Sequence, residues 1–274
     1  MKKIIFYKMS GSGNDFIIID NRNQFVDKRN LSKIAAKVCR RKMSVGADGL
    51  ILIENSKTVD FKWRFFNSDG SVADMCGNGA RCAARFAYLN RIAGSKMSFE
   101  TGAGIVSASI DNTLVKISMP DPSDIKTDYP IKLENGSLII NSVNTGVPHV
   151  VIVTDTLDDI QVVQTGREIR FHKNFAPAGT NVNFICINKD NSIAVRTYER
   201  GVEDETLACG TGSIAGALVG AKKFKIKSPV NVKTKSGESL YIHFKEKEDS
   251  YYDIILEGNA DCIYKGELFE DAFK

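Results

Sequence analysis

The chain says nearly the same thing twice, and that repetition constrains its fold more than any other feature. DGSVADMCGNGARCAARFA (69–87) and RGVEDETLACGTGSIAGA (200–217) match when Cys76 is set on Cys209, 133 residues later. An acidic loop precedes each cysteine, Cys-Gly-x-Gly follows, and a run of small residues comes next. Without gaps, the same offset lays FKWRFFN (61–67) over AVRTYER (194–200) and SFETGAGIVSASI (98–110) over NVKTKSGESLYIH (231–243), with Gly104 on Gly237. Upstream, GSGNDFIIID (11–20) is similar to GTNVNFICIN (179–188) out of strict register. Repetition on this scale predicts two copies of one domain. A length of 274 residues, at about 150 per domain, agrees.

Each half reads as a strand ending in a polar residue, an acidic loop, Cys-Gly-x-Gly, a helix and a β-hairpin. The strands are short and rich in β-branched or aromatic residues: FIIID, LILIE and WRFF in one half, HVVIV, NFICI, IAVRTY and YDIIL in the other. Helices are predicted over 77–91 and 210–224, where Ala and Leu are spaced and basic residues come in the second halves. A third helix, LSKIAAKVCRR (31–41), takes Asn30 as its cap and buries Ile34, Val38 and Cys39. Burial as a small hydrophobe is the expected fate of Cys39, Cys82, Cys186 and Cys262. SMPDPSDIKTDYPIK (118–132), polar with three prolines, reads as the linker.

Composition removes several function classes. Hydrophobic residues make up 43% and charged residues 26%, enough apolar material for two cores. The formal charge is +4 and no basic cluster alternates with aromatics, which argues against nucleic acid as a partner. The apolar run IIFY near the N-terminus is too short for a signal-peptide core. No stretch approaches the ~18 apolar residues of a membrane span, so no membrane partner is expected. None of the six cysteines lies in a C-x-x-C pair or near a histidine, so no zinc site is predicted. A disulfide framework does not suit a chain this long without an export signal; the expected location is cytoplasmic, with thiols reduced.

Two cysteines at two helix starts carry specific chemistry. A helix N-terminus has unpaired N–H groups and partial positive charge, and a thiol there ionises below its free value of about 8.5. Glycines beside it let a substrate approach the backbone, and the N–H groups of Gly77, Asn78, Gly210 and Thr211 can bind a carboxylate. Two such sites related by duplication can face one another across a pseudo-two-fold axis. A thiolate on one side of a carbon can then take its proton while the opposite thiol returns one, and the configuration inverts. The helix N-termini stabilise the carbanion through its carboxylate. The scheme calls for no cofactor such as pyridoxal phosphate, and no metal ligands are evident.

With KMSGSGNDF, GADGLILIE, FFNSDGSVADMCGNGARC, NTGVPHVV, GTNVNF and YERGVEDETLACGTGS in place, the chain resembles the diaminopimelate epimerase family over nearly its whole length. Asparagine at position 78, where related proline and hydroxyproline racemases carry histidine, favours the diaminopimelate branch. The resemblance implies an isomerase that converts LL- to meso-diaminopimelate, a precursor of lysine and peptidoglycan, with Cys76 and Cys209 as the acid/base pair. It implies that Gly77, Asn78, Gly210 and Thr211 hold the reacting carboxylate and amine. Asn14, Asn67, Asn181, Glu199 and Arg200 would hold the rest of the substrate, Arg200 gripping the distal carboxylate bidentately. His149 would support Cys76, and Glu199 would support Cys209. Asn67 and Arg200 fall on each other in the internal repeat, nine residues before their cysteines. The resemblance further implies a homodimer and a C-terminus that returns as a strand to the first domain. Two positions depart from the family pattern: Gly49, often glutamine, and Val147, often asparagine. Each loses a hydrogen-bonding group near the substrate's distal end, which leaves a broader substrate range, glutamate included, to be tested.

The expected fold is α/β (α+β): two pseudo-symmetric domains from an internal duplication, each a curved, mostly antiparallel sheet wrapped around a central helix, with the active site in the interdomain cleft. The domains are 1–118 with 262–274, carrying Cys76, and 119–261, carrying Cys209. Two rival readings are weaker. GTGSIA (210–215) fits a nucleotide-binding G-x-G-x-x-A, but no strand runs into it and no acidic residue follows at the ribose distance. A thiol redox protein needs a resolving cysteine close in sequence, and Cys82 lies six positions on, off the same helical face. His172 and His243 read as surface or satisfied strand residues, Trp63 as packing, GSGND as a turn, and KEKEDS (245–250) as an exposed hairpin tip.

Overall fold

The computed structural model describes residues 4–24, 26 and 30–273. The chain divides into two compact units, Met1–Ile117 with Gly258–Lys274, and Ser118–Glu257. Both are α/β.

The first unit contains β1 (Ile4–Gly11), β2 (Asn14–Asp20), α1 (Leu31–Val38), β3 (Gly49–Glu54), β4 (Phe61–Asn67), β5 (Val72–Ala73), α2 (Gly77–Leu89), β6 (Lys96–Thr101), β7 (Gly104–Asp111), β8 (Leu114–Ser118) and, from the C-terminus, β18 (Asp261–Leu268). β18 runs antiparallel to β1, placing Leu268 opposite Ile4, which ties the chain's end into this unit. β2 and β3 are parallel, so a crossover must join them, and α1 provides it. Leu31, Ala35 and Val38 of α1 pack with Ile17, Ile19, Leu50, Leu52 and Phe66 in a core on one face of the sheet. α2 lies against β1, β2, β3 and β7. It is buried nearly all round, from Gly77 through Ala84 and again at Phe86 and Ala87, the mark of a helix enclosed by sheet.

The second unit repeats this plan with β9 (Ser123–Leu133), β10 (Gly136–Asn144), β11 (Pro148–Val153), α3 (Val162–Arg170), β12 (Asn181–Ile187), β13 (Ile193–Glu199), β14 (Asp204–Thr206), α4 (Gly210–Phe224), β15 (Val230–Lys233), β16 (Ser239–Lys247) and β17 (Ser250–Asn259). The pairing β11–β12 parallel, β12–β13 antiparallel, β13–β14 antiparallel, β13–β15 parallel and β15–β16 antiparallel reproduces β2–β3, β3–β4, β4–β5, β4–β6 and β6–β7 in sense and order. α3 is the crossover equivalent to α1, and it packs Val162 and Ile169 on Val150, Val182 and Phe184. The sequence reading had not included α3. α4 is the enclosed helix, and its Gly and Ala residues let β10, β11, β12, β13, β15 and β16 approach it closely.

The pairing register aligns the halves residue by residue. Phe16 stands beside Gly49, as His149 stands beside Asn181. Ile51 faces Phe65, as Asn183 faces Thr197. Phe16, Ile51 and Phe65 therefore correspond to His149, Asn183 and Thr197. Two alignments from the sequence are corrected by this register. GTNVNFICIN forms β12, the counterpart of β3, and not of the strand in GSGNDFIIID; both runs are apolar strands ending in a polar residue, which makes them look alike one strand out of step. Asn67 closes β4 as Glu199 closes β13, so Asn67 corresponds to Glu199 and not to Arg200. One extra residue lies between β13 and Cys209.

Other expectations also change. The linker is only residues 119–122, because β9 begins at Ser123 and pairs with β10. β9's one proline, Pro130, and its polar side chains are those of a strand that alternates outward. Asn30 makes no side-chain capping bond to α1, and Ile34 is only half-buried while Ala35 is fully buried. α2 stops at Leu89 with no basic residue in its last turn. Cys39 and Cys82 are buried, but Cys186 is half-buried and Cys262 is exposed, since Cys262 sits on the outward face of β18. Trp63 is buried beside Phe65 and Phe99, GSGND turns between β1 and β2, residues 245–250 are exposed, and His243 pairs with Glu257 at 2.5 Å. No helix among the described residues is long and apolar enough to cross a membrane.

Candidate active site

Each unit sets a cysteine at the N-cap of its enclosed helix. Cys76 caps α2 with extended backbone, φ −147° and ψ 120°, and its Sγ accepts from Gly79 N at 3.5 Å. Cys209 caps α4 with φ −116° and ψ 113°, and its Sγ accepts from Gly212 N at 3.4 Å. The sulfur thus does what a Ser or Asp oxygen does at other helices, taking up one of the four orphan N–H groups of the first turn. That bond and the helix dipole both favour the thiolate over the thiol. The sheet lies against the third helical position: a Cβ on Gly79 would sit tightly on Ile51 and Phe16 at 3.3 and 3.4 Å, and one on Gly212 would collide with Asn183 Oδ1.

The surroundings of the two sulfurs differ. Cys76 Sγ lies 3.5 Å from Asn14 Oδ1. The amide of Asn14 is held from its other end, its Nδ2 donating to Asp48 Oδ2 at 2.5 Å. Asp48 in turn accepts from Arg41 at 2.8 Å, and Arg41 also grips Asp15 at 2.6 Å. Lys8 completes the cluster, 2.7 Å from Asp15. Burial alone would raise the Asp15 pKa, but the hydrogen bonds and charges of Arg41 and Lys8 outweigh it and hold the carboxyl below its usual range. Asn78 is buried, and its Oδ1 accepts from Arg81 at 3.0 Å. Arg81, fully buried, also donates to Ser12 Oγ at 3.0 Å. Asn67, at the end of β4, bonds Ser71 at 3.0 Å.

In the second unit Cys209 Sγ has the Thr211 hydroxyl at 3.4 Å, and Thr145 holds the Thr211 carbonyl at 3.2 Å. Asn181 and Arg200 come together: Arg200 N donates to Asn181 Oδ1 at 2.9 Å, and Asn181 Nδ2 donates to Pro148 O at 3.1 Å. Arg200 Nη1 reaches Ala178 O at 3.2 Å. Glu199 accepts from the Thr206 hydroxyl at 2.9 Å. His149 lies in β11, fully buried, with Nδ1 3.0 Å from Asn183 Nδ2. Burial first, and the nearby charge of Arg200 second, push its pKa down to about 3, so the ring is neutral.

The remaining thiols contrast with this pair. Burial pushes Cys39 up to about 12 and drives Cys82 higher still, which leaves both protonated and inert. At Gly49 the structure leaves little room for a side chain. A Cβ there would lie 2.5 Å from the Phe65 ring and 2.8 Å from Phe66 O; Phe65 fills that space and packs edge-on against Phe16. Asp48, Arg81, Asn183 and Thr197 escaped the sequence reading. Arg81 stands inside MCGNGARC, and a charged residue on the face of a helix otherwise made of small residues was a usable signal. The other three act through partners far away in sequence.

A family model described as diaminopimelate epimerase matches residues 6–123 and 141–261. The diaminopimelate epimerase of Aquifex aeolicus (strain VF5) is 46% identical over 280 residues, covering 98% of this chain and 99% of that protein. That of Chlorobaculum tepidum is 43% identical over 264 residues, covering 95% and 99%. Among solved structures, a probable proline racemase from Agrobacterium radiobacter K84 with bound carbonate has a TM-score of 0.72 at 15% identity, covering 99% of this chain and 94% of that one; this likeness is one of fold.

Proposed function

The chain belongs to the diaminopimelate epimerase family, and from that premise we propose how it converts LL-2,6-diaminopimelate to the meso isomer. One of Cys76 and Cys209 takes the α-proton as thiolate, and the other, as thiol, delivers a proton to the opposite face. The first leaves as thiol and the second as thiolate, so each turnover exchanges their protonation states and consumes nothing. The reaction needs the α-carboxylate to accept the carbanion's charge. The first-turn N–H groups at Gly77, Asn78, Gly210 and Thr211 are suited to that task, because they carry the positive end of each helix dipole.

The observation that carries this reading is the matched pair of caps: a cysteine Sγ accepting from the third helical N–H in each half, at corresponding positions of a duplicated fold. Both copies keep the sulfur at this place while neighbouring buried positions, such as Phe16 and His149, have diverged. Arg200 is the group of choice for the distal carboxylate, since its backbone N–H is anchored by Asn181 and a guanidinium binds carboxylate bidentately. Asn14, Asn67, Asn181 and Glu199 supply the remaining polar contacts, with His149 and Glu199 supporting the thiols. We further propose that the enzyme works as a cytoplasmic homodimer, the state the family resemblance implies.

Incubation in deuterated water tests the scheme. Wild-type enzyme is expected to place deuterium at the α-carbon as the stereochemistry changes, and Cys76→Ala and Cys209→Ala are each expected to lose inversion. Either variant inverting substrate at the wild-type rate would end the two-base reading.

A further inference from the structure

The second unit buries a polar group of three where the first buries hydrocarbon. By strand register, His149, Asn183 and Thr197 occupy the places of Phe16, Ile51 and Phe65. All six are buried. The fold closes well around Phe, Ile and Phe, so packing does not demand the polar set; burying polar groups costs free energy unless each is bonded.

The hydrogen bonds of Asn183 fix its amide. Val150 O accepts only, and Asn183 Nδ2 stands 2.9 Å from it, so the amino group faces that way. The same Nδ2 lies 3.0 Å from His149 Nδ1. Asn183 Oδ1 accepts from the Thr197 hydroxyl at 3.0 Å and packs against Gly212, where a Cβ would strike it. A flipped amide would set oxygen against the Val150 carbonyl. His149 Nδ1 is therefore an acceptor, and in a neutral ring the hydrogen sits on Nε2. That Nε2 is buried and has no hydrogen-bond partner among the described residues.

We propose that Asn183, steadied by Thr197, is a positioning residue that holds His149 as the Nε2–H tautomer and so makes it a hydrogen-bond donor to an anionic acceptor in the working enzyme. The proposal rests on the epimerase reading for the identity of that acceptor, which is a catalytic thiolate or the substrate carboxylate. A base at this position would need a bare Nε2, and Asn183 forbids it. A donor instead lowers the energy of the anion it faces without moving a proton, which suits a group beside a thiol pair that must exchange protonation states cleanly.

The test begins with protein labelled with 15N-histidine, whose three histidines are assigned by loss of the His149 signals in His149→Gln. Two-bond proton–nitrogen correlations at pH 7 are expected to show His149 neutral with its hydrogen on Nε2. A hydrogen on Nδ1, or an imidazolium, overturns the proposal whether or not any variant folds. Asn183→Asp turns an acceptor toward Nδ1, and the hydrogen is expected to move there. kcat should fall about ten- to a hundredfold, the range one charge-assisted hydrogen bond spans, with KM changed less than about threefold. A shifted tautomer with unchanged kcat also overturns the donor role. The Nε2–H resonance identifies the acceptor. It moves in ligand-free Cys76→Ala or Cys209→Ala if a thiolate is the partner, and moves only on adding diaminopimelate if the carboxylate is; movement in neither overturns the proposal. A protein that shows the Nε2–H tautomer yet does not epimerise diaminopimelate refutes the function and leaves the Asn183 assignment standing.

Discussion

Asp48→Ala tests whether the orientation of Asn14 at the Cys76 thiol is held from behind. Asp48 reaches Cys76 through Asn14. It accepts from Asn14 Nδ2 at 2.5 Å, from Asp15 N at 3.2 Å and from Arg41 at 2.8 Å. The Arg41 pair adds little to stability, because the side chains are 58% and 42% exposed and solvent screens them, leaving at most ~1 kcal/mol. The Asn14 bond is charge-assisted and part-buried, and such bonds contribute about 1.5–3 kcal/mol. Discounted for exposure, the variant is expected to lose about 1–2 kcal/mol in urea unfolding. The larger effect is on catalysis. With the carboxylate gone, the Asn14 amide can rotate and turn its NH2 toward Cys76 in place of Oδ1. If the full bond goes into orientation, kcat/KM falls about ten- to a hundredfold. Asp48→Asn, which keeps one acceptor oxygen, should fall between the two. The assay is α-deuterium incorporation with LL-diaminopimelate, run beside a double-mutant cycle with Asn14→Ala. If Asp48 acts through Asn14, its removal costs nothing further once Asn14 is Ala. A folded Asp48→Ala within twofold of wild type, or losses that simply add in the double variant, would refute the reasoning.

Gly49→Gln is expected to destabilise the fold by about 1–3 kcal/mol, because its Cβ meets the Phe65 ring at 2.5 Å and the Phe66 carbonyl at 2.8 Å. Urea unfolding reads the loss, and a Gly49→Gln chain as stable as wild type would show that the Phe65 ring gives way freely. His149 makes stability depend on pH in a definite sense. Its folded pKa, about 3, lies below the ordinary 6.5, so the unfolded chain takes the proton first and stability is lost as pH falls below about 6.5 until it levels near 3. Between pH 8 and pH 5 the wild type should lose about 2 kcal/mol more than His149→Gln; a difference under about 0.5 kcal/mol would mean that the ring titrates normally.

What the sequence disclosed and what it concealed divide along the range of the interactions. Cys-Gly-x-Gly before a run of small residues is a local signal: cap, close approach and enclosed helix are all written within fifteen residues, and α4 begins and ends where the pattern says. The parallel pairs β2–β3 and β11–β12 were not visible as such, because nothing local separates a parallel strand from an antiparallel one. α3 was hidden for a related reason: VVQTGREIR buries only Val162, Gly166 and Ile169, a pattern too sparse to stand out until the parallel pair demands a crossover. The proline-bearing segment 123–133 looked like a linker because its side chains point mostly outward, and its ladder partner β10 had to be known to make it a strand. Asp48 and Asn183 were illegible alone. Each carries meaning only through a partner 34 residues away, Asn14 for one and His149 for the other.

The duplication then explains why the halves diverged where they did. Two copies of one fold would bury the same kind of side chain if stability were the only demand, and at Leu50 and Val182 and at Ile17 and Val150 they do. The copies part at three buried positions, of which the Ile51/Asn183 place packs against the third helical glycine in both. One half keeps Phe16, Ile51 and Phe65, with Phe16 and Ile51 nearest Gly79, and the other sets His149, Asn183 and Thr197, with Asn183 against Gly212. Each enclosed helix keeps its cysteine cap, while the second half sets the polar His149 and Asn183 where the first sets Phe16 and Ile51. The sheet-against-helix contact at the third helical glycine is thus one place where the second copy set a polar side chain, Asn183, in place of the first copy's hydrocarbon, Ile51.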